Sequence, residues 1–329
     1  MHILENAPPD ARHIRANLIS DASLSRARQA DRTFGWAVYA SSVLFVLLVV
    51  GIFIELLQGS WLSIGKFGLA FLWTSQWNPV TDQFGALPLI YGTVVSSTIA
   101  IIIAAGVGIF AAAFLADFAP KAVAQPLQFM IELLAAVPSV VFGLWGLFVL
   151  APLIREYVGP FLQKVLGFLP IFQGTIYGTS LFTAGIILAV MIVPTVTAIS
   201  RDVIEAIPND LREGSASLGA TRWETMQKVV LPAAKSGIFG ACILALGRAL
   251  GETIAATMVI GNRPEIVASL FAPSYTLPSV IANEFTEATS EVYLSALLEL
   301  GLVLFVVSMI VNGAARFLTM TVMKPSGGR

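Results

Sequence analysis

The sequence predicts an all-α, polytopic membrane protein with six membrane-spanning helices, and three observations carry that expectation. Of 329 residues, 57% are hydrophobic and 12% charged, where an ordinary soluble domain carries about a quarter charged residues. Six apolar runs are each long enough to cross about 30 Å of hydrocarbon as helix. Lysine and arginine collect on one side of the resulting map, as they do on the cytoplasmic side of membrane proteins.

Along the chain, residues 1–33 are polar and basic, with Pro8 and Pro9 near the start. They read as a cytoplasmic tail, either a topogenic segment or one lying beside the anionic leaflet. The first apolar run, 34–57, lacks a small-residue cleavage site and reads as a retained anchor. It forms, with the outer loop to residue 89, a second region, in which Trp61, Trp73 and Trp77 suit a segment along the headgroup interface. A helical membrane core follows over 90–317, with runs at 90–114, 128–154, 176–200, 237–260 and 294–317, and residues 318–329 close the chain as a cytoplasmic tail. Helix is the economical form for each run, because lipid offers no water to unpaired peptide groups and barrel strands would alternate instead. Pro138 and Pro194 each remove a helical hydrogen bond inside apolar sequence, so kinks are expected there. The outer loop 261–293 carries Glu265, Glu284, Glu287 and Glu291, either as a solvated loop or as a docking face for a soluble partner.

Of the 19 lysines and arginines, fourteen lie on the side of both termini: Arg12, Arg15, Arg26, Arg28, Arg32, Lys121, Arg201, Arg212, Arg222, Lys228, Lys235, Arg316, Lys324 and Arg329. Only Lys66, Arg155, Lys164 and Arg263 lie opposite, and Arg248 falls inside a span. Both termini are therefore expected in the cytoplasm. A net charge of -1 removes the basic footprint that nucleic-acid binding requires. Cys242 is the single cysteine, which excludes an intrachain disulfide and a cysteine metal cluster, and neither His2 nor His13 sits near carboxylates at ligand spacing, so no metal site is expected.

The polar connection 204–236 is patterned as structure. Pro208-Asn209-Asp210 offers a turn and a capping residue, 211–218 can form two helical turns, and Gly219 suits a left-handed C-terminal position. Thr221 with Glu224 three residues later is a capping box opening a second short helix, on which Trp223, Met226, Val229 and Val230 share a face. Leu231-Pro232 is expected to stop that helix before the fifth span. The apolar face has two possible uses: packing on the protein's own helix ends, or docking a cytoplasmic motor.

The same residues resemble the cytoplasmic loop of permease subunits of type I ABC importers, whose pattern is Glu-Ala-Ala, Gly four residues on, and then, after nine residues, an isoleucine (replaced here by Val229), one residue and Leu-Pro. Here it stands as Glu213-Gly214-Ser215, Gly219, Val229, Leu231 and Pro232 with the spacing intact, the two alanines being replaced by Gly214 and Ser215. The resemblance implies the type I ABC importer permease (MetI-like) fold and a role for Glu213, Gly214, Ser215, Gly219, Trp223, Leu231 and Pro232 in coupling to an ATPase subunit. No nucleotide site of the chain's own is expected. The nearest approach to a phosphate-binding loop, Gly59 to Gly65 followed by Lys66-Phe67, has the wrong spacing and lacks the hydroxyl residue that would hold magnesium.

Inside the fifth run, Gly247-Arg248-Ala249-Leu250-Gly251-Glu252-Thr253 places two charges in apolar sequence. On one continuous helix Arg248 and Glu252 lie about 6 Å apart along the axis on one face, in range to pair. Each costs about 2.5–3.5 kcal/mol at the bilayer centre, so that face must meet protein or water. Gly247 and Gly251 give a small-xxx-small spacing for close helix approach. Two readings stand: a buried ion pair fixing packing, or Arg248 meeting an anionic substrate with Glu252 holding or releasing it.

This segment, with the Met258-Val259-Ile260-Gly261-Asn262 ending and Leu134-Ala135-Ala136-Val137-Pro138-Ser139-Val140-Val141 of the third run, is similar to permeases of phosphate-specific ABC importers, of the PstC type rather than the PstA type by length, basic tail and that ending. The resemblance covers about 89–312. It implies phosphate passage past Arg248, Glu252 and Thr253, location in a bacterial inner membrane, a second, PstA-like permease, two copies of a PstB-like ATPase that binds ATP and Mg, and an extracytoplasmic PstS-like binding protein. The rival expectations are an ABC permease for another oxyanion such as sulfate or molybdate, an ion-coupled secondary transporter or channel, and a signalling scaffold. In all of them the chain does no covalent chemistry.

Overall fold

The structure is a computed structural model that describes the backbone of residues 21–322 and the side chains of 29–317. The expectations placed on Arg12, Arg15, Lys324 and Arg329, and the side chains of Arg26 and Arg28, lie outside the described residues. Apart from the isolated bridges Asn78 to Gln83 and Gly261 to Ser274, the described residues are helix, turn and loop.

Six helices are long and apolar enough to span a membrane: Gln29–Gly59, Leu87–Phe118, Ser139–Leu166, Leu181–Glu205, Arg222–Leu250 and Glu291–Phe317. All six predicted spans are thus present, with shifted ends. The first helix begins at Asp21 and the last continues to Val322. Both intrude on segments assigned to tails, because nothing in those polar ends breaks a helix.

The chain divides near Glu55 into two compact units. The described part of the first is helix whose apolar residues, such as Phe34, Phe45 and Leu47, are exposed along its length, as a lipid-facing or partner-facing helix requires.

The second unit is built on the second and fourth spans, packed side by side. Small residues make that possible: a Cβ on Gly108 would sit 2.9 Å from Val196, and one on Gly185 would sit 2.6 Å from Ile99. Ala100, Ala104, Leu188, Ala189 and Ile192 fill the seam. Without a hydrophobic drive between helices in lipid, such close approach supplies the attraction. The fifth span joins them where Gly237 meets Val203.

Two breaks depart from the predicted runs. The third run is not one helix. Lys121–Ala136 ends at Val137 and Pro138, both extended (ψ 131° and 140°), and the spanning helix starts afresh at Ser139. A kink at Pro138 is thus a full break, as the residue before proline avoids helical ψ. Pro194, by contrast, is accommodated inside the continuous helix Leu181–Glu205. The second break, in the fifth span, belongs to the site.

In the segments predicted to face outward, Phe71, Trp77, Phe84, Tyr275, Leu277, Tyr293 and Leu297 form a buried cluster. Trp61 and Trp73 are exposed, as interfacial anchors should be, but Trp77 is buried and donates to Glu284 Oε2 at 2.8 Å, an oxygen that also accepts from the Tyr293 hydroxyl at 2.6 Å. Trp77 is therefore a core residue whose indole N–H needed a partner, and Glu284 is taken from the acidic loop's free charge. Burial first, then the nearby Glu284 and Glu287 carboxylates, push the Tyr275 phenol up.

Candidate functional site

The connection 204–236 forms the two short helices that the sequence predicts, but Asn209 and Asp210 lie inside the first of them, whose N-cap position is Pro208 and carries no side-chain cap. Asn209–Ser217 is helical, Gly219 is left-handed at φ 86°, and Thr221 and Glu224 form the reciprocal capping box. Leu231-Pro232 does not stop the helix. A π-turn at Met226–Val230 widens it, and Leu231–Leu250 continues with proline in its first turn, where a missing N–H is tolerated.

The apolar residues of the connection divide into a buried set and an exposed one. Met226 and Val230 are fully buried with Ala112, Ala113, Ile204 and Ala234, on the protein's own helix ends. Leu211, Leu218 and Trp223 remain exposed, Leu218 at 90%, although Trp223 also lies against Phe118. Glu213, Gly214, Gly219 and Pro232 are exposed, while Ser215 and Leu231 are half-buried. Ser215 shares a 2.9 Å hydroxyl hydrogen bond with Thr225, tying the two short helices together. A Cβ on Gly214 would meet nothing within 4 Å, so this chain's own packing does not require glycine there.

A residue that sequence reading passed over anchors the element. Arg212 donates through Nη2 to the Ile204 carbonyl at 2.8 Å, and its Nη1 forms an ion pair with Asp117 Oδ1 at 2.8 Å. It thereby joins the helix Asn209–Ser217 to the ends of the second and fourth spans.

The fifth span does not carry Arg248 and Glu252 on one helix. The helix ends at Leu250 with Gly251 at φ -93° and ψ 0°, and a second segment, Ile254–Ile260, begins after Thr253. That segment is held by its neighbours. Ala255, Val259 and Ile260 are buried against the third and fourth spans, Gly143 and Gly146 allowing the close approach. Its last carbonyls accept from Ser180 and Ser274 N–H.

The break takes Glu252 out of register with Arg248. Instead of pairing, the Glu252 carboxylate accepts from Ala255 N–H at 3.4 Å, capping the second segment, where a negative charge is favourable. Thr253 donates its hydroxyl to the Gly251 carbonyl at 3.3 Å, within the turn. The small-xxx-small expectation holds only in part: Gly247 faces Asn312 of the sixth span, whereas Gly251 lies in the break.

Arg248 instead opens onto a cavity of about 910 Å³ lined by Thr195 of the fourth span, Gly240, Ile243, Leu244 and Gly247 of the fifth, and Asn312 and Arg316 of the sixth. The lining contains two guanidinium groups and no carboxylate. Asn312 and Arg316 were missed by sequence reading; the available signal was their spacing of four, which puts both on one face of the last helix.

Residues 104–323 match the family described as binding-protein-dependent transport system inner membrane component. The chain is 43% identical to the phosphate transport system permease protein PstC of Mesorhizobium japonicum, over 98% of each chain. It is 44% identical to the PstC of Pasteurella multocida over 91% of this chain and 92% of that one. In fold it is similar to a chain of the bacterial alginate ABC transporter solved with an alginate-bound periplasmic protein, at a TM-score of 0.61 and 16% identity, over 89% of this chain and 97% of that one. With the family match across two thirds of its length and six spanning helices, this chain belongs to the binding-protein-dependent transport system inner membrane components and is a multi-pass permease subunit of the inner membrane.

Proposed function

We propose that the chain is the PstC-type permease of an ATP-driven phosphate importer, with both termini in the cytoplasm. The observation that carries this reading is the Arg248 guanidinium, inside the fifth apolar run, without an ion-pair partner among the described residues and facing an open cavity. An unpaired charge at that depth is costly, and it is tolerable where water or an anion occupies the cavity. A guanidinium fork donates paired hydrogen bonds to two oxygens of a phosphate, which a lysine cannot do. The relatives named as phosphate permeases support the choice of anion.

The cavity is open on this chain alone, and a second, PstA-like permease is the partner that closes it into a passage. Glu252 and Thr253 act by holding the break that aims Arg248 into the cavity. Exposed Leu211, Leu218 and Trp223, with the unobstructed surface over Gly214, form the face that inserts into a PstB-like ATPase, two copies of which use ATP and Mg. Glu213, Ser215, Gly219, Leu231 and Pro232 shape that element. An extracytoplasmic PstS-like protein delivers phosphate at the opposite end.

The test is ATP-dependent uptake of labelled phosphate by the complete complex in proteoliposomes. Arg248→Ala is expected to abolish uptake and Arg248→Lys to restore little of it, with assembly intact. Uptake that is undiminished in Arg248→Ala, that persists without the ATPase, or that is driven by sulfate in preference to phosphate refutes the reading.

A further inference from the structure

Arg248 is not the only cation in its cavity. Arg316 lines the same space from the sixth span, and Asn312, one turn earlier on the same helix, lies between them. Among the described residues neither guanidinium has an ion-pair partner and the Asn312 amide has no hydrogen-bond partner. The cavity volume of about 910 Å³ is several times that of one tetrahedral oxyanion, so a single contact point leaves most of it unexplained.

The register of the two helices fixes where the second cation stands. A Cβ on Gly247 would lie 3.7 Å from Asn312 Oδ1, so Gly247 and Asn312 are level. The sixth span runs antiparallel to the fifth. Arg316 is therefore about 6 Å from that level toward the coupling element, and Arg248 about 1.5 Å on the other side of it, at 1.5 Å rise per residue. The two arginine backbones are offset by about 7 Å along the passage.

We propose that Asn312 and Arg316 form a second oxyanion station, which receives phosphate from Arg248 on its way toward the ATPase-facing end. This inference rests on the phosphate-import reading above. The Arg316 fork takes two oxygens while the Asn312 amide donates to a third. Two stations about 7 Å apart along the passage let the ion leave the first before losing all protein contact, the arrangement that conduction of a tightly held ion requires. An arginine that served only to anchor the helix end at the membrane surface would make no such demand, and lysine would replace it without loss.

The experiment measures uptake of labelled inorganic phosphate by proteoliposomes holding the complete complex, for wild type, Arg316→Gln, Arg316→Lys and Arg248→Lys. Rates are normalised to assembled complex, and ATP hydrolysis stimulated by the loaded binding protein is measured alongside. The expected result is a fall of about tenfold in maximal uptake for Arg316→Gln, the size of one lost charge-assisted hydrogen bond. Arg316→Lys is expected to fall between that and wild type, with stimulated ATP hydrolysis within about twofold of wild type in both. Wild-type uptake in both Arg316 variants, with Arg248→Lys impaired, overturns the second station and leaves the import reading standing. Equal loss of uptake and ATP hydrolysis in Arg316→Gln also overturns it, because that pattern marks a structural role. Should Arg316→Gln fail to assemble, Arg316→Lys decides: reduced uptake per complex supports the station and full uptake overturns it. A wild-type complex that imports no phosphate overturns both readings together.

Discussion

Removing Arg212 should loosen the coupling helix without disturbing the spans. Arg212 makes two contacts at once: a hydrogen bond of 2.8 Å from Nη2 to the Ile204 carbonyl, and an ion pair of 2.8 Å from Nη1 to Asp117. The ion pair is held by charge attraction rather than by a directed hydrogen bond, and the two side chains are 17% and 24% exposed. A hydrogen bond to a charged group contributes about 1.5–3 kcal/mol, and a partly buried pair adds to it less than the 3–5 kcal/mol of a fully buried one. Truncation to alanine should therefore destabilise docking of Asn209–Ser217 by at least about 2 kcal/mol, roughly a thirty-fold rise in the undocked fraction. Hydrogen exchange of the complete complex reads this directly. Amides of Asn209–Ser217 should exchange about thirty-fold faster in Arg212→Ala, with the second and fourth spans unchanged, and uptake per ATP hydrolysed should fall. Asp117→Asn keeps the Ile204 bond and should show a smaller acceleration. The exposed pair of Lys228 with Glu224 provides the control, since surface pairs contribute about 0–1 kcal/mol. Unchanged exchange in Arg212→Ala, or an equal change in Lys228→Ala, refutes the reasoning.

Three further outcomes are expected. Gly214→Leu leaves the permease's melting temperature unchanged, since nothing lies within 4 Å of the new Cβ, but weakens ATPase-subunit binding at least about tenfold; co-purification titrations check this. Gly185→Leu forces a side chain into Ile99, only 2.6 Å from the Cβ position, and should cost about 1–3 kcal/mol or more by overpacking, seen as a lower melting temperature in detergent. Gly247→Leu has ordinary contact distance to Asn312, 3.7 Å, so the fold tolerates it while the side chain enters the cavity beside Arg248; uptake should drop with assembly preserved, as transport and size-exclusion measurements would show.

The spans were legible because lipid leaves the backbone few choices: each of the six apolar runs holds most or part of a spanning helix, although the third and fifth runs are interrupted. Their ends were not, because hydropathy reports where a helix meets lipid and not where its hydrogen bonding stops. Pro232 illustrates the difference. It reads as a terminator, yet the π-turn at Met226–Val230 carries the helix past it. Pro138 was read as a kink and is a break, since Val137 adopts ψ 131°. Thr221 with Glu224, and Gly219, were read correctly because capping is a local code that tertiary contacts had no cause to override. Trp77 was misplaced for the opposite reason: its burial depends on Phe84, Glu284 and Tyr293, two of them more than 200 residues away, which no local pattern announces.

The break between Leu250 and Ile254 was the least legible feature, and it changes what the charges mean. Glycine in an apolar run is common in membrane helices, so Gly251 announces no interruption. The interruption is imposed from outside, by the hydrogen bonds of Ser180 and Ser274 N–H and by the packing of Ala255 and Val259 against the third and fourth spans. On an unbroken helix, Arg248 and Glu252 would neutralise each other, the cheaper arrangement for two charges in a membrane. Here Glu252 is committed to the Ala255 N–H and Arg248 has no ion-pair partner among the described residues, so the cavity lining carries a net positive charge. A protein that needed the pair only for packing would gain nothing from separating it. The separation makes sense where the guanidinium's partner is a passing anion, and where that partner must be released rather than permanently supplied by the chain.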